Sequence, residues 1–185
     1  MTDELLGTTL LTIARNAIAE RLGKSTSPLS ELPDASELAQ AGATFVTLTQ
    51  AGQLRGCIGS LEAYRPLAAD VAANALAAAF NDHRFSPLGA EELAHTRLEV
   101  SLLTPAEPLV FSDEADALAR LRPGVDGLIL TRGQRRATFL PQVWESLPQA
   151  GKFLAQLKLK AGLPADYWDG QITLARYGVR KWKDN

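Results

Sequence analysis

Leu54-Arg55-Gly56-Cys57-Ile58-Gly59 places the chain's one cysteine between two glycines, in a stretch that alternates like a strand. In an extended segment, side chains two apart share a face. Arg55 and Cys57 are therefore expected to point one way, and Leu54 and Ile58 the other, toward a core. Just upstream, Thr44 to Gln50 reads as a second strand, and Ala51-Gly52-Gln53 has the length and the glycine of a hairpin connection. The thiol then lies on the second arm of a hairpin, beside a permanent positive charge.

Working outward, Glu4 to Leu22 reads as a helix, with Leu6, Leu10, Ile13 and Ala17 on its apolar stripe and Arg15 and Glu20 off it. Gly23 to Gly42, with Pro28 and Pro33, reads as a long surface connection holding one short helical turn. Pro66 suits the first position of a helix over Leu67 to Phe80, whose many alanines leave little bulk and fit close packing on a sheet. Arg97 to Thr104 alternates Leu98, Val100 and Leu102 with Arg97, Glu99 and Ser101, a half-buried strand with Glu99 on the side away from the core.

Ser112 reads as an N-cap, with Asp113 and Glu114 in the first turn and Arg120 and Arg122 closing that helix before Pro123-Gly124. Gly127 to Thr131 and Arg136 to Leu140 form a second hairpin over Arg132 to Arg135. A helix from Gln149 to Ala161 turns Phe153, Leu154 and Leu157 inward and ends at Gly162, and a last strand starts at about Gln171. The order has no steady βαβ rhythm and no GxGxxG or GxxxxGK[ST] loop. The expected fold is α+β: mixed or antiparallel sheets with packed helices, as a single domain over 1–185 or as two lobes with a cleft between them.

Composition sets the outer limits. The chain has 185 residues, 46% hydrophobic and 22% charged, enough for a sizeable core. One cysteine cannot form an intramolecular disulfide. Met1-Thr2-Asp3-Glu4 carries no basic run ahead of an apolar one, and the longest apolar stretch, Val71 to Phe80, is short and broken by Asn74. A soluble, cytoplasmic protein is the expectation. The net charge of −2 conceals an uneven spread: residues 1–119 hold 7 Lys and Arg against 16 Asp and Glu, residues 120–185 hold 12 against 5. Arg132, Arg135, Arg136, Arg176, Arg180, Lys181 and Lys183 could meet phosphates or an acidic partner, and more weakly nucleic acid, but neutralisation inside the fold and the scarcity of neighbouring aromatics favour an internal role.

Candidate chemistry centres on Cys57. A thiolate is the reactive form, and Arg55 would favour it; Gly56 and Gly59 would let a small anionic or polar substrate approach the strand backbone. Free cysteine is equally at home as a small buried hydrophobe, and strand glycines also mark bulges or tight packing. An inward Arg55 needs a carboxylate, and Glu99 is the expected one, so Cys57, Arg55 and Glu99 are the candidate catalytic residues. His83, beside an Asp82 able to orient its ring, and His95 are the available bases, and neither is favoured. One cysteine and two histidines make no zinc pattern, so no metal or cofactor is expected. Pro141 and Glu145, near Trp144, could wall a pocket that Tyr167 and Trp168 cap, although aromatics this sparse more often fill a core.

The hexapeptide at 54–59 resembles the signature of the AMMECR-one domain family, the protein A component of AmmeMemoRadiSam systems. Phe45-Val46-Thr47-Leu48 just before it, and Arg84-Phe85, Glu99-Val100-Ser101-Leu102, Gly127-Leu128-Ile129-Leu130, Phe139-Leu140-Pro141-Gln142-Val143 and Lys160-Ala161-Gly162-Leu163 after it, recur in the family's order, so the resemblance covers roughly residues 42 to 182. His83 stands where the family usually has proline, so no family mechanism rests on it. The resemblance implies partnership with a Memo-like protein and a radical SAM enzyme. The alternative is a non-catalytic interaction module in which Cys57 is structural.

Overall fold

The hairpin read from the sequence is present in the structure, a computed structural model that describes residues 2–26 and 35–184. β2 (Thr44–Gln50) and β3 (Gln53–Gly59) pair antiparallel, with Gln50 opposite Gln53. Ala51 and Gly52 form the two-residue turn, at φ 47° and 77°. Positive φ at both positions matches the twist of the flanking strands, and glycine is the residue that takes it without strain.

Thr49 pairs with Leu54 and Leu48 with Gly56, so Arg55 is the extra residue of a β-bulge. The bulge resets the alternation. Ile58 and Gly56 face the same side as the buried Val46 and Leu48, as expected for Ile58, but Leu54 is carried to the Thr49 side and is exposed. The expectation of an inward Leu54 fails for that reason.

The chain divides into two compact units, Met1–Leu103 with Arg180–Asn185, and Thr104–Val179. In the first, the sheet order is β10 (Val179–Lys183), β5 (Arg97–Leu103), β2, β3, and a two-residue ladder joins β1 (Ala41–Gly42) to β4 (Arg65–Pro66). α1 (Asp3–Arg21) starts at Thr2, whose Oγ1 accepts the Leu5 N–H (3.3 Å), with Asp3 and Glu4 in the first turn. α1 buries Leu6, Leu10, Ala14 and Ile18, four apart. That is an i, i+4 ridge rather than the expected Leu6, Leu10, Ile13, Ala17 stripe, and α1 packs with it against α3 (Leu67–Phe80). α3 lays Val71, Ala75 and Ala78 on the core, so the alanine run does serve close packing; Pro66 is its N-cap, one place before the expected first turn. The expected connection over 23–42 lies partly outside the described residues, Pro28 and Pro33 among them, and its described end forms α2 (Ala35–Ala39).

The second unit has the sheet order β6 (Glu107–Leu109), β9 (Thr173–Tyr177), β7 (Gly127–Arg132), β8 (Arg135–Phe139), with antiparallel neighbours throughout. The β7–β8 turn is tighter than expected: Arg132 pairs with Arg135, and Gly133 takes φ 59°. α4 (Glu114–Arg120) is capped by Asp113, whose Oδ1 accepts the Asp116 N–H (2.8 Å), one residue after the expected Ser112. α5 (Ala150–Lys160) buries Phe153, Leu154 and Leu157, and Gly162 follows it at φ 76°. Trp144 stacks on Phe153 at 3.8 Å and 4° and donates its Nε1–H to the Asp126 carbonyl (2.7 Å), so it belongs to this core. The expected last strand is two, β9 and β10, one in each sheet. The fold is α+β.

Candidate functional site

β3 is an edge strand, and an edge presents unpaired backbone groups that a protein must cover or block. At Cys57 the covering is ionic. Asp82 Oδ2 accepts the Cys57 N–H (2.9 Å), and Arg84 Nη2 donates to the Cys57 carbonyl (3.3 Å). Asp82, only 5% exposed, also accepts from Arg84 Nε (2.9 Å) and Nη2 (2.6 Å). Hydrogen bonds from Arg84 hold the Asp82 carboxyl well below the usual carboxylate range; burial opposes this, and the Cys57 N–H adds to it. The same pairing raises Arg84, against its own burial, with a smaller contribution from the charge of Asp82.

Arg55 does not reach Glu99. Its Nε and Nη2 donate to the two oxygens of Glu92 (2.9 and 3.0 Å), and its Nη1 donates to the Ser86 carbonyl (2.9 Å). The Arg55 side chain is 13% exposed, which explains why a bidentate partner is needed. Glu92 also accepts the Gly89 N–H (2.7 Å) and Gln50 Nε2 (3.2 Å). Arg55 first, then Gly89, pull the Glu92 carboxyl down to about 2, against burial. Glu99 is held instead by Lys183 Nζ at 2.9 Å, with Lys181 at 3.9 Å, and the expected Arg55–Glu99 pair is corrected accordingly. It does share a face with the thiol. Thr47 pairs with Cys57 on one side and Glu99 on the other, and its Oγ1 lies 3.3 Å from the half-buried sulfur.

The two glycines have internal explanations. A β-carbon on Gly56 would meet the Ala78 carbonyl oxygen at 2.2 Å, and one on Gly59 would meet the Phe45 ring at 2.2 Å. Protein atoms fill the space where side chains would stand, which accounts for glycine at both positions. His83 and His95 are exposed, and Asp82 serves Cys57 and Arg84 rather than orienting His83. Pro141 and Glu145 belong to the second unit, where Pro141 opens a 3-10 turn and Glu145 is exposed. In that unit Tyr167 and Trp168 pack on the core; Tyr167 donates its hydroxyl to Asp169, which Arg132 also holds (2.9 Å). Those bonds, Tyr167 first, bring the Asp169 carboxyl to about 2.

Sequence reasoning did not single out the network around Asp70. This buried carboxylate accepts Thr44 N–H (2.8 Å), Thr44 Oγ1 (2.7 Å), Asn74 Nδ2 (2.9 Å), Ser60 Oγ (2.7 Å) and Arg65 Nε (2.8 Å). Five donors satisfy it as an acceptor, and its role is to tie α3 to β2. The signal was present: Asp70 and Asn74, four apart, interrupt the apolar face of an alanine helix.

Charge also redistributes on folding. The first unit holds 10 Lys and Arg against 13 Asp and Glu, the second 9 against 8, so the opposition between the two sequence halves disappears. Arg180 pairs with Asp3 (Nε–Oδ1 2.8 Å), and Lys183 with Glu99. Among the described residues, no group of three or more His, Cys, Asp or Glu could hold a metal ion, and no helix is long and apolar enough to cross a membrane.

The AMMECR1 family model matches residues 11–182, reaching into α1 beyond the segment that the motifs indicate. A protein of Methanothermobacter thermautotrophicus is 42% identical over 179 residues, 92% of this chain and 90% of that one. Protein SSO0193 of Saccharolobus solfataricus is 38% identical over 182 residues, 95% of this chain and 80% of that one. The crystal structure of the uncharacterized protein PH0010 from Pyrococcus horikoshii superposes with a TM-score of 0.81 at 33% identity, covering 100% of this chain and 94% of that one. With family, relatives and fold in agreement over most of its length, the chain belongs to the AMMECR1 family.

Proposed function

We propose that this chain is a cytoplasmic component that works with a Memo-like protein and a radical SAM enzyme, and that the surface around Cys57 is where it recognises a small anionic or polar group. The observation that supports this reading is the convergence of Asp82, Arg84 and Phe85 on a strand edge carrying a half-buried thiol. Co-purification with the two partner proteins tests it. Stable association, weakened when Arg84 or Cys57 is replaced, is the expected result; failure to associate under any cofactor or substrate condition rejects it.

A second reading, an interaction module in which Cys57 is structural, draws on one specific finding. Arg55, the cation nearest in sequence, is held by Glu92, and the sulfur's recorded hydrogen-bond partner is the neutral Thr47 hydroxyl. Alkylation of Cys57 measured against pH separates the two. A rate like that of a free thiol in a small peptide, with unchanged partner binding in Cys57→Ala, favours the structural reading.

A further inference from the structure

Arg84 and Arg55 flank the same ring, with their guanidinium carbons 5.5 and 6.0 Å from the Phe85 centroid, yet they are held differently. Arg55 is bound along one edge by Glu92 and at Nη1 by Ser86, and is 13% exposed. Arg84 is gripped through Nε and Nη2 by a carboxylate that is itself buried, and its own side chain remains 56% exposed. No partner for Arg84 Nη1 is recorded among the described residues. A buried acid behind a half-exposed guanidinium fixes its plane, so an incoming oxyanion meets donors that are already aimed. Asp82 thereby does two things at once: it holds the Cys57 backbone and it orients Arg84.

We propose that Arg84 is the oxyanion-recognising residue of this surface, its Nη1 taking one oxygen of a carboxylate or phosphate group on a small molecule, with Asp82 as its positioning residue. The inference rests on the function proposed above and narrows it: both guanidiniums are paired with a carboxylate, but the recognising cation is Arg84 and not Arg55, whose Nη1 is already taken by the Ser86 carbonyl and whose side chain is largely covered. Phe85 supplies an apolar wall beneath the bound group.

Titration of the full chain with inorganic phosphate, sodium acetate and neutral acetamide, followed by 1H–15N correlation spectra, tests the assignment. Saturable shifts confined to the amides of residues 57 and 82–86 are expected with phosphate or acetate, at half-saturation in the millimolar range for one charge-assisted contact. Whichever of the two saturates first identifies the class of ligand, and acetamide should move nothing. Arg84→Gln should raise the half-saturation concentration by about tenfold or more, and Arg84→Lys, which keeps the charge but not the fork, should fall between. Absence of saturable shifts in the wild-type protein overturns the proposal even if Arg84→Gln does not fold, and shifts equal in wild type and Arg84→Gln overturn it as well. Because this readout needs no partner, its failure is distinct from a failure to co-purify with the Memo-like and radical SAM proteins.

Discussion

Gly56 sits directly under Ala78, with the helix carbonyl oxygen 2.2 Å from where a β-carbon would stand on the strand. Backbone cannot swing aside as a side chain can, so Gly56→Ala must push α3 off the sheet. The expected cost is about 3 kcal/mol, at the upper end for overpacked cores. At Gly59 the obstruction is the Phe45 ring, which can rotate, and Gly59→Ala should cost less. Urea unfolding of both variants checks the order; equal losses would mean that α3 yields easily.

Asp70 should be the most sensitive polar residue of the first unit. Asp70→Ala leaves the Thr44 N–H, Asn74 and Arg65 without their shared acceptor, and the expected loss is about 3–5 kcal/mol. Ser60→Ala removes one donor and spares the rest, so it should cost about 1 kcal/mol. Chemical denaturation of the two variants at one pH gives the comparison.

Acid should weaken the fold in a defined window. Glu92 titrates at about 2 when folded, against an ordinary value of 4.5, so the unfolded chain binds its proton first as pH falls. Stability from the Arg55–Glu92 pair is therefore full above about 4.5 and is lost on the way down to about 2. Asp169 acts in the same direction, from 3.8 to about 2. Thermal unfolding against pH should show a fall across this range, and Glu92→Gln should flatten part of it. An unchanged slope in that variant would refute the assignment.

Lys158, buried in the second unit, donates to Glu114 and to the Ala165 carbonyl (3.2 Å) and lies 5.4 Å from the Trp168 ring centre. Its long stem is as much packing as charge. Lys158→Met keeps the volume, and Glu114 is exposed enough to rehydrate, so the expected change is within about 1 kcal/mol. Lys158→Ala leaves a cavity and should cost about 3 kcal/mol. Melting temperatures of the two variants test whether packing or the ion pair dominates.

The elements with strong local signals were legible in the sequence: the β2–β3 hairpin, the alternation of Leu98 and Val100, and the inward triplet Phe153, Leu154, Leu157. What escaped depended on pairings that local pattern cannot carry. The bulge at Arg55 is a matter of register with β2, and it alone reverses the side taken by Leu54. Arg55 finds its carboxylate 37 positions away in Glu92, within a loop that has no periodicity, while Glu99, the candidate on a readable strand, goes to Lys183. Asp82 and Arg84 stand two apart straight after a helix, a spacing that hints at an ion pair but not at a grip on Cys57. The uneven charge along the sequence, read there as neutralised inside the fold, evens out because β10 and its cations return to the first unit, a return that no local pattern shows.

That return has a bearing on biosynthesis. Residues 180–184 complete the first sheet, lay the Trp182 indole where Gly7 leaves room, and bring Asp184 to Arg15 and to the Leu98 N–H (2.9 Å). A ribosome must therefore translate the whole second unit before the first can be finished. Until then α1 keeps bare the flank that Trp182 fills in the finished protein, so the nascent chain exposes apolar surface that the mature one covers.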